Sequence, residues 1–116
     1  MALHRTPLSG RRLWLALYAR GAQLREVWLF YGEGGRFVGG AFTELDAAEA
    51  WIYHNRLTGV LTKTPVNSGV LDWAIETDSH NMAPETLDAK RSDPAFVGSF
   101  SSASQEHYHY EHGLRD

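Results

Sequence analysis

Three side chains near the end of the chain, those of His107, His109 and Glu111, have the types and spacing of a metal site. If this segment is a strand, alternate residues share one face, so both imidazoles and the carboxylate lie on the same side. Two strand rises separate His107 and His109 by roughly 7 Å at Cα, which suits two ligands of one ion such as zinc. An ion with an open position could polarise a carbonyl or activate water. The pattern is therefore compatible with a metal-binding domain or a metal-dependent enzyme.

A metal site needs at least one further ligand, and His54, His80 and the carboxylates are candidates that the sequence does not rank. The same segment also fits a half-exposed aromatic strand, whose His and Tyr rings pack and hydrogen-bond without a metal, or a terminal tail without a role. We favour the aromatic strand. The candidate binding residues on that interpretation are Tyr108, Tyr110, His112 and Trp73.

Several function classes are excluded by composition and by missing motifs. The chain has no cysteine, which excludes disulfides, thiolate zinc sites, iron–sulfur clusters and a cysteine nucleophile. It contains none of the glycine-rich nucleotide loops, the serine-hydrolase elbow or the zinc-protease helix motif. No apolar run approaches the ~18 residues that span a bilayer. The sequence therefore favours a non-enzymatic module without a cofactor, and we expect it in the cytoplasm.

Charge is distributed unevenly along the chain. Residues 1–25 contain five arginines and no acid, whereas residues 26–116 contain six basic and 14 acidic residues, a net charge of −8. An arginine pair before a short apolar stretch resembles a signal peptide, but Arg20 interrupts that stretch. A nucleic-acid-binding arm is disfavoured because the acidic body would oppose a polyanion. We expect residues 1–25 to be a flexible basic extension and residues 26–113 to form one domain.

Hydrophobic patterning predicts a β-hairpin at the start of this domain. The apolar segments 26–31 and 36–42 flank the glycine-rich loop 32–35, which is the usual signature of two antiparallel strands. Residues 60–64 predict a further strand, ended by Pro65.

Helical periodicity predicts a main helix over about residues 44–56. Thr43, three residues before Asp46, is a variant of the capping box that opens helices. The predicted buried stripe consists of Leu45, Ala48 and Ile52, with Trp51 beside it. Residues 70–76 fit either a buried strand or a short helix with Ser68 as its N-cap, and we favour a second short helix at about residues 69–77.

The later part of the chain is less regular. Residues 77–94 are polar and lack periodicity, which predicts a long surface loop. Residues 96–100 predict a strand, and residues 105–112 predict the last one. The fold class is therefore α+β, an antiparallel sheet of four to five strands with the main helix on one face. The other face is covered by the second helix or the N-terminal segment, or left open to water.

Several runs resemble a family of small, uncharacterised bacterial domains. They are Val27–Gly32, Phe37–Phe42, Ala47–Ile52, Leu57–Thr62, Pro65–Val66, Asp72–Ile75, and Phe100 through the Ser-Ala-Ser-Gln-Glu-His-Tyr-His-Tyr-Glu stretch at residues 102–111. The Glu-His-Tyr-His-Tyr-Glu ending is the most distinctive of them. The resemblance covers roughly residues 26–113. It implies a stand-alone soluble domain with the first 25 residues peripheral to it, and it implies no activity.

Three functional hypotheses follow from these residues. The first is a small acidic binding or protein-interaction module, whose partner is a basic protein or a small ligand; it predicts an exposed patch of aromatic and carboxylate groups. The second is the metal site, which predicts a further ligand converging on His107 and His109. The third is a small-ligand carrier in which residues 77–94 fold over an aromatic pocket. We favour the first.

Overall fold

The structure is a computed structural model that describes residues 26–116. These residues form one five-stranded antiparallel sheet and four helices, so the predicted α+β class and strand number are confirmed. The elements are β1 (Glu26–Gly32), β2 (Val38–Phe42), α1 (Leu45–His54), β3 (Gly59–Pro65), α2 (Val70–Glu76), α3 (Pro84–Lys90), α4 (Pro94–Val97), β4 (His107–Glu111) and β5 (Leu114–Arg115). The predicted flexible extension at residues 1–25 lies outside the described residues.

The spatial order of the strands is β2-β1-β3-β4-β5. The predicted hairpin of β1 and β2 is present, and the register shifts between Phe30 and Tyr31 at a β-bulge. β3 pairs with β1 on one side and with β4 on the other, so Leu61 lies opposite Phe30 and also opposite Tyr108. This order places the histidine-rich strand β4 beside the central strand and not at the edge of the sheet.

α1 packs across one face of the sheet and closes the hydrophobic core. As the periodicity predicts, Ala48 and Ile52 are fully buried on the inner side of the helix. They meet Trp28, Phe30, Leu61 and Tyr110 of the sheet. The predicted capping box is wrong, because α1 begins after Glu44 and no side chain caps its first turn.

The second helix is also found where the sequence predicts it. α2 covers residues 70–76 and buries Leu71 and Ala74. The loop predicted at residues 77–94 is partly wrong, because α3 begins within it at Pro84 and buries Leu87. Proline suits the first turn of a helix, where its missing N–H has no partner to lose.

The strand predicted at residues 96–100 is wrong. The chain forms the short helix α4 there, because Asp93 and Pro94 start a helical turn. The Asp93 Oδ1 accepts hydrogen bonds from the backbone N–H of Ala95 at 3.0 Å and of Phe96 at 3.3 Å. An N-cap aspartate followed by proline outweighs the β propensity of the apolar residues after it.

The sheet face opposite α1, which we call the second face, is only partly covered. Val70 at the start of α2 and residues 98–105 lie over one part of it and enclose a cleft. Tyr31, which also lines this cleft, remains 44% exposed, and Val38, its neighbour in the β1–β2 register, remains 45% exposed. Among the described residues, no helix is both long and apolar enough to cross a membrane.

Candidate functional site

β4 presents its alternating side chains to opposite faces of the sheet. Tyr108 and Tyr110 lie opposite Leu61 and Gly59 of β3, on the side that α1 covers. His107 and His109 lie on the second face. The predicted candidates are therefore split, with the tyrosines in or next to the core and the histidines exposed.

Tyr110 belongs to the core of the domain. Its side chain is only 4% exposed, and its hydroxyl donates to Glu49 Oε2 of α1 at 2.5 Å. Arg115 of β5 donates to the same oxygen through Nε at 2.8 Å and also through its second guanidinium nitrogen. Burial opposes ionisation of Glu49, but these two partners outweigh it and the pKa of Glu49 lies below its ordinary value. The group is a structural clamp that fixes β4 and β5 to the helix.

Tyr108 lies in a stack of aromatic and cationic groups beside this clamp. Its ring stacks on Trp28 with a centroid separation of 5.8 Å, and the Arg115 guanidinium lies 3.8 Å from its centroid. Its hydroxyl donates to Glu106, and that bond raises the pKa of Tyr108. The same bond, together with the charge of Lys63, lowers the pKa of Glu106. This stack covers the margin of the core on the α1 side of the sheet.

His107 and His109 lie edge to face on the second face, with ring centroids 5.4 Å apart. The Nδ1 of His107 is 2.8 Å from the carbonyl oxygen of Gln105. Because a carbonyl only accepts, Nδ1 carries a proton, and in the neutral ring Nε2 is then an acceptor, which has no partner within residues 26–116. Across residues 26–116, no group of three or more His, Asp or Glu side chains is arranged to hold a metal ion.

The other predicted residues lie apart from this pair. His54 ends α1 on the opposite side of the sheet, and His80 Nδ1 accepts a hydrogen bond from the Met82 N–H at 3.1 Å. His112 lies in the turn between β4 and β5, with a φ of 51°, and its N–H donates to Thr58. Trp73 lies half-buried on α2, which packs against β3.

A shallow depression of about 370 Å³ lies on the second face, where β1 and β4 end and β3 begins. Tyr31, Val60 and His109 line its floor, and they lie side by side in the strand register. Three carboxylates also line it. We call this surface the acidic patch, and its residues are Tyr31, Val60, His109, Glu33, Glu111 and Asp116.

The carboxylates of the acidic patch form no ion pair within residues 26–116. No lysine or arginine of these residues lines the depression, and the ion pairs among them involve other carboxylates. The sequence alone does not predict this patch, because Glu33, Glu111 and Asp116 come from three different segments. Only the pairing of β4 with β1 through β3 brings them to one surface.

One of three comparisons with known proteins finds a match for this chain. No curated protein and no solved structure matches the chain. A family model matches residues 27–116, which include every residue of the clamp and of the acidic patch. The chain therefore belongs to the family described as Domain of unknown function (DUF7710).

Proposed function

We propose that this domain is a non-enzymatic protein-interaction module that binds a basic partner through the acidic patch. The observation that carries the proposal is an exposed tyrosine, Tyr31, beside three carboxylates that form no ion pair with any of the residues that the structure describes. Tyrosine is enriched among the residues that dominate binding energies at interfaces, and arginine is its common counterpart in the partner. The patch therefore offers both an aromatic contact and carboxylates for a guanidinium group.

Exposed apolar side chains extend this surface. Val38 pairs with Tyr31 across the hairpin, and it is 45% exposed. Leu114 of β5 lies opposite Glu111 and is 61% exposed. A partner segment in which arginines alternate with apolar residues can therefore bind here, with its arginines on the carboxylates and its apolar side chains on Val38 and Leu114.

The charge of the whole domain supports the same kind of partner. Residues 26–116 carry a net charge of −8, counting histidine as neutral. Such a field attracts a basic protein from a distance and raises the rate of association at low ionic strength. It also opposes binding of nucleic acid.

The proposal is tested with the full chain and a short peptide in which arginine alternates with leucine. A peptide with glutamate in place of each arginine serves as the matched control. We expect binding of the arginine peptide, measured by fluorescence anisotropy, to weaken as salt is added because the patch is exposed to solvent. Equal binding of the two peptides would contradict the proposal.

Variants locate the binding surface. Glu33→Gln and Glu111→Gln should each weaken binding of the arginine peptide about two- to fivefold, the effect of one exposed ion pair. Glu85→Gln is the matched control, because Glu85 is an exposed carboxylate on α3 outside the patch. An equal loss of affinity in Glu85→Gln would show a general charge effect and no specific surface.

A metal site at His107, His109 and Glu111 is the second candidate function. The edge-to-face pair of imidazoles on one side of β4 favours it. A metal site needs a third ligand beside this pair, and a zinc titration tests whether one joins it.

A further inference from the structure

The second face carries a larger cleft next to the acidic patch. Its volume is about 560 Å³, which is within the range of small-molecule sites. Alternate residues of β3 form most of its floor, with Tyr31 of β1 and His107 of β4 beside them, and residues 98–103 with Gln105 form its wall. We call this space the sheet cleft.

A buried glutamine holds the wall in place. Gln105 is 6% exposed; its Oε1 accepts from the Ser102 N–H at 3.1 Å, and its Nε2 donates to the carbonyl of Lys63 at 3.2 Å. The Ser102 hydroxyl also donates to the carbonyl of Ser79 at 2.9 Å. These bonds join the wall to β3 and to the segment after α2, so the sheet cleft is preformed.

Among residues 26–116, the lining of the sheet cleft carries no acidic or permanently basic side chain. None of the described residues that line it is Asp, Glu, Lys or Arg. Because enclosing a charge without a partner is costly, this lining selects an uncharged ligand. The acidic patch shares Tyr31 and Val60 with this cleft but also carries three carboxylates, so the two surfaces suit ligands of different charge.

One side of the sheet cleft offers hydrogen bonds. Thr62 and His107 lie directly opposite each other in the β3–β4 register, both on the second face. The Nε2 of His107 is free to accept, since Nδ1 is bound to Gln105. The Thr62 hydroxyl makes no hydrogen bond within residues 26–116 and can donate or accept. Neighbouring groups of this kind match adjacent hydroxyls of one ligand.

The lining of the sheet cleft also includes apolar groups. Tyr31 and Val60 lie opposite each other in the β1–β3 register, and Phe100 of the wall adds a second aromatic ring. We propose that the sheet cleft binds an uncharged cyclic polyol of the monosaccharide class. The C–H face of the sugar ring packs on these apolar groups, and its hydroxyls bond to Thr62 and His107.

The test is an amide NMR titration of the full chain with neutral hexoses and inositol. Glucuronate and glucosamine serve as charged analogues of the same ring. We expect shifts at Thr62, Ser102 and His107 with at least one neutral sugar, and none at these positions with the charged analogues. No shift with any neutral compound, or equal shifts with the charged analogues, would overturn the proposal.

Two variants separate this site from the acidic patch. Thr62→Val keeps the branched shape while removing the hydroxyl, so it should weaken sugar binding about tenfold, and His107→Ala should do the same. Thr43→Val, at an exposed position outside the cleft, is the control. Glu111→Gln should leave sugar binding unchanged while weakening the arginine peptide. Sugar binding and peptide binding are therefore measured separately, and either proposal can fail while the other holds.

Discussion

The hydroxyl of Tyr110 donates a hydrogen bond to Glu49, and this contact joins β4 to α1 across 61 positions of sequence. The buried end of the Glu-His-Tyr-His-Tyr-Glu segment therefore stabilises the fold. Arg115 completes the clamp from β5, since its Nε donates to the same carboxylate oxygen. Exposed residues of the same segment remain available for binding.

The clamp should contribute measurably to stability. Tyr110→Phe removes the hydroxyl from a hydrogen bond to a charged acceptor, and we expect a loss of about 1.5–3 kcal/mol in the free energy of unfolding. Urea denaturation measures this change. Tyr53→Phe removes the same group from a side chain that is 63% exposed, and it should have almost no effect. Equal losses in the free energy of unfolding for the two substitutions would show that the Tyr110–Glu49 hydrogen bond does not stabilise the fold.

The same clamp predicts how stability depends on pH. The pKa of Glu49 and the pKa of Glu106 lie below the ordinary value of 4.5. A carboxylate with a lowered folded-state pKa contributes stability that is fully present above its unfolded pKa and is lost as pH falls through the folded pKa. Urea midpoints should therefore fall as the pH drops below about 4.5.

Glu49→Gln provides the control for this pH dependence. The amide cannot ionise, so the decline of the urea midpoint in acid should be shallower than in the unsubstituted protein. An unchanged decline would mean that other carboxylates cause the loss of stability.

The parts of the fold that local patterns determine could be predicted from the sequence. Two apolar runs that flank a glycine-rich loop suffice for the β1–β2 hairpin, and the spacing of Ala48 and Ile52 suffices for the buried side of α1. At residues 96–100 the apolar pattern predicts a strand, but Asp93 and Pro94 start a helix just before it.

Long-range pairing explains what could not be predicted. Glu49 and Arg115 are 66 positions apart, and neither belongs to a recognisable motif. The sequence pattern does not predict the short strand β5 either. His112 and Gly113, with φ values of 51° and 89°, form the two-residue turn of its tight hairpin with β4. A His-Gly pair is a weaker signal than Asn-Gly at such a turn.

Gly59 should tolerate no side chain. A Cβ atom there would lie 2.3 Å from the carbonyl oxygen of Tyr31 and 2.7 Å from Phe30 Cζ. Because the first contact is with backbone of the neighbouring strand, Gly59→Ala must push β1 and β3 apart, and we expect a loss of about 3 kcal/mol.

Gly39→Ala is the matched control for this substitution. Its new Cβ would lie at an ordinary 3.5 Å from the nearest atom, a ring carbon of Phe30. Its free energy of unfolding, from urea denaturation, should change by less than about 1 kcal/mol. Similar stabilities of the two variants would show that the sheet adapts at Gly59.

Zinc should bind the pair of His107 and His109 only weakly. Zinc sites in proteins use three or four protein ligands, and no third side chain of the described residues joins these two imidazoles. We therefore expect one equivalent of zinc to leave the unfolding temperature unchanged and to cause only small amide shifts near the pair. His107→Ala and His109→Ala should remove those shifts, whereas His54→Ala, at the far side of the sheet, should retain them. A zinc-dependent rise in unfolding temperature that both variants of the pair abolish, with sharp shifts at a third residue, would instead establish the metal site.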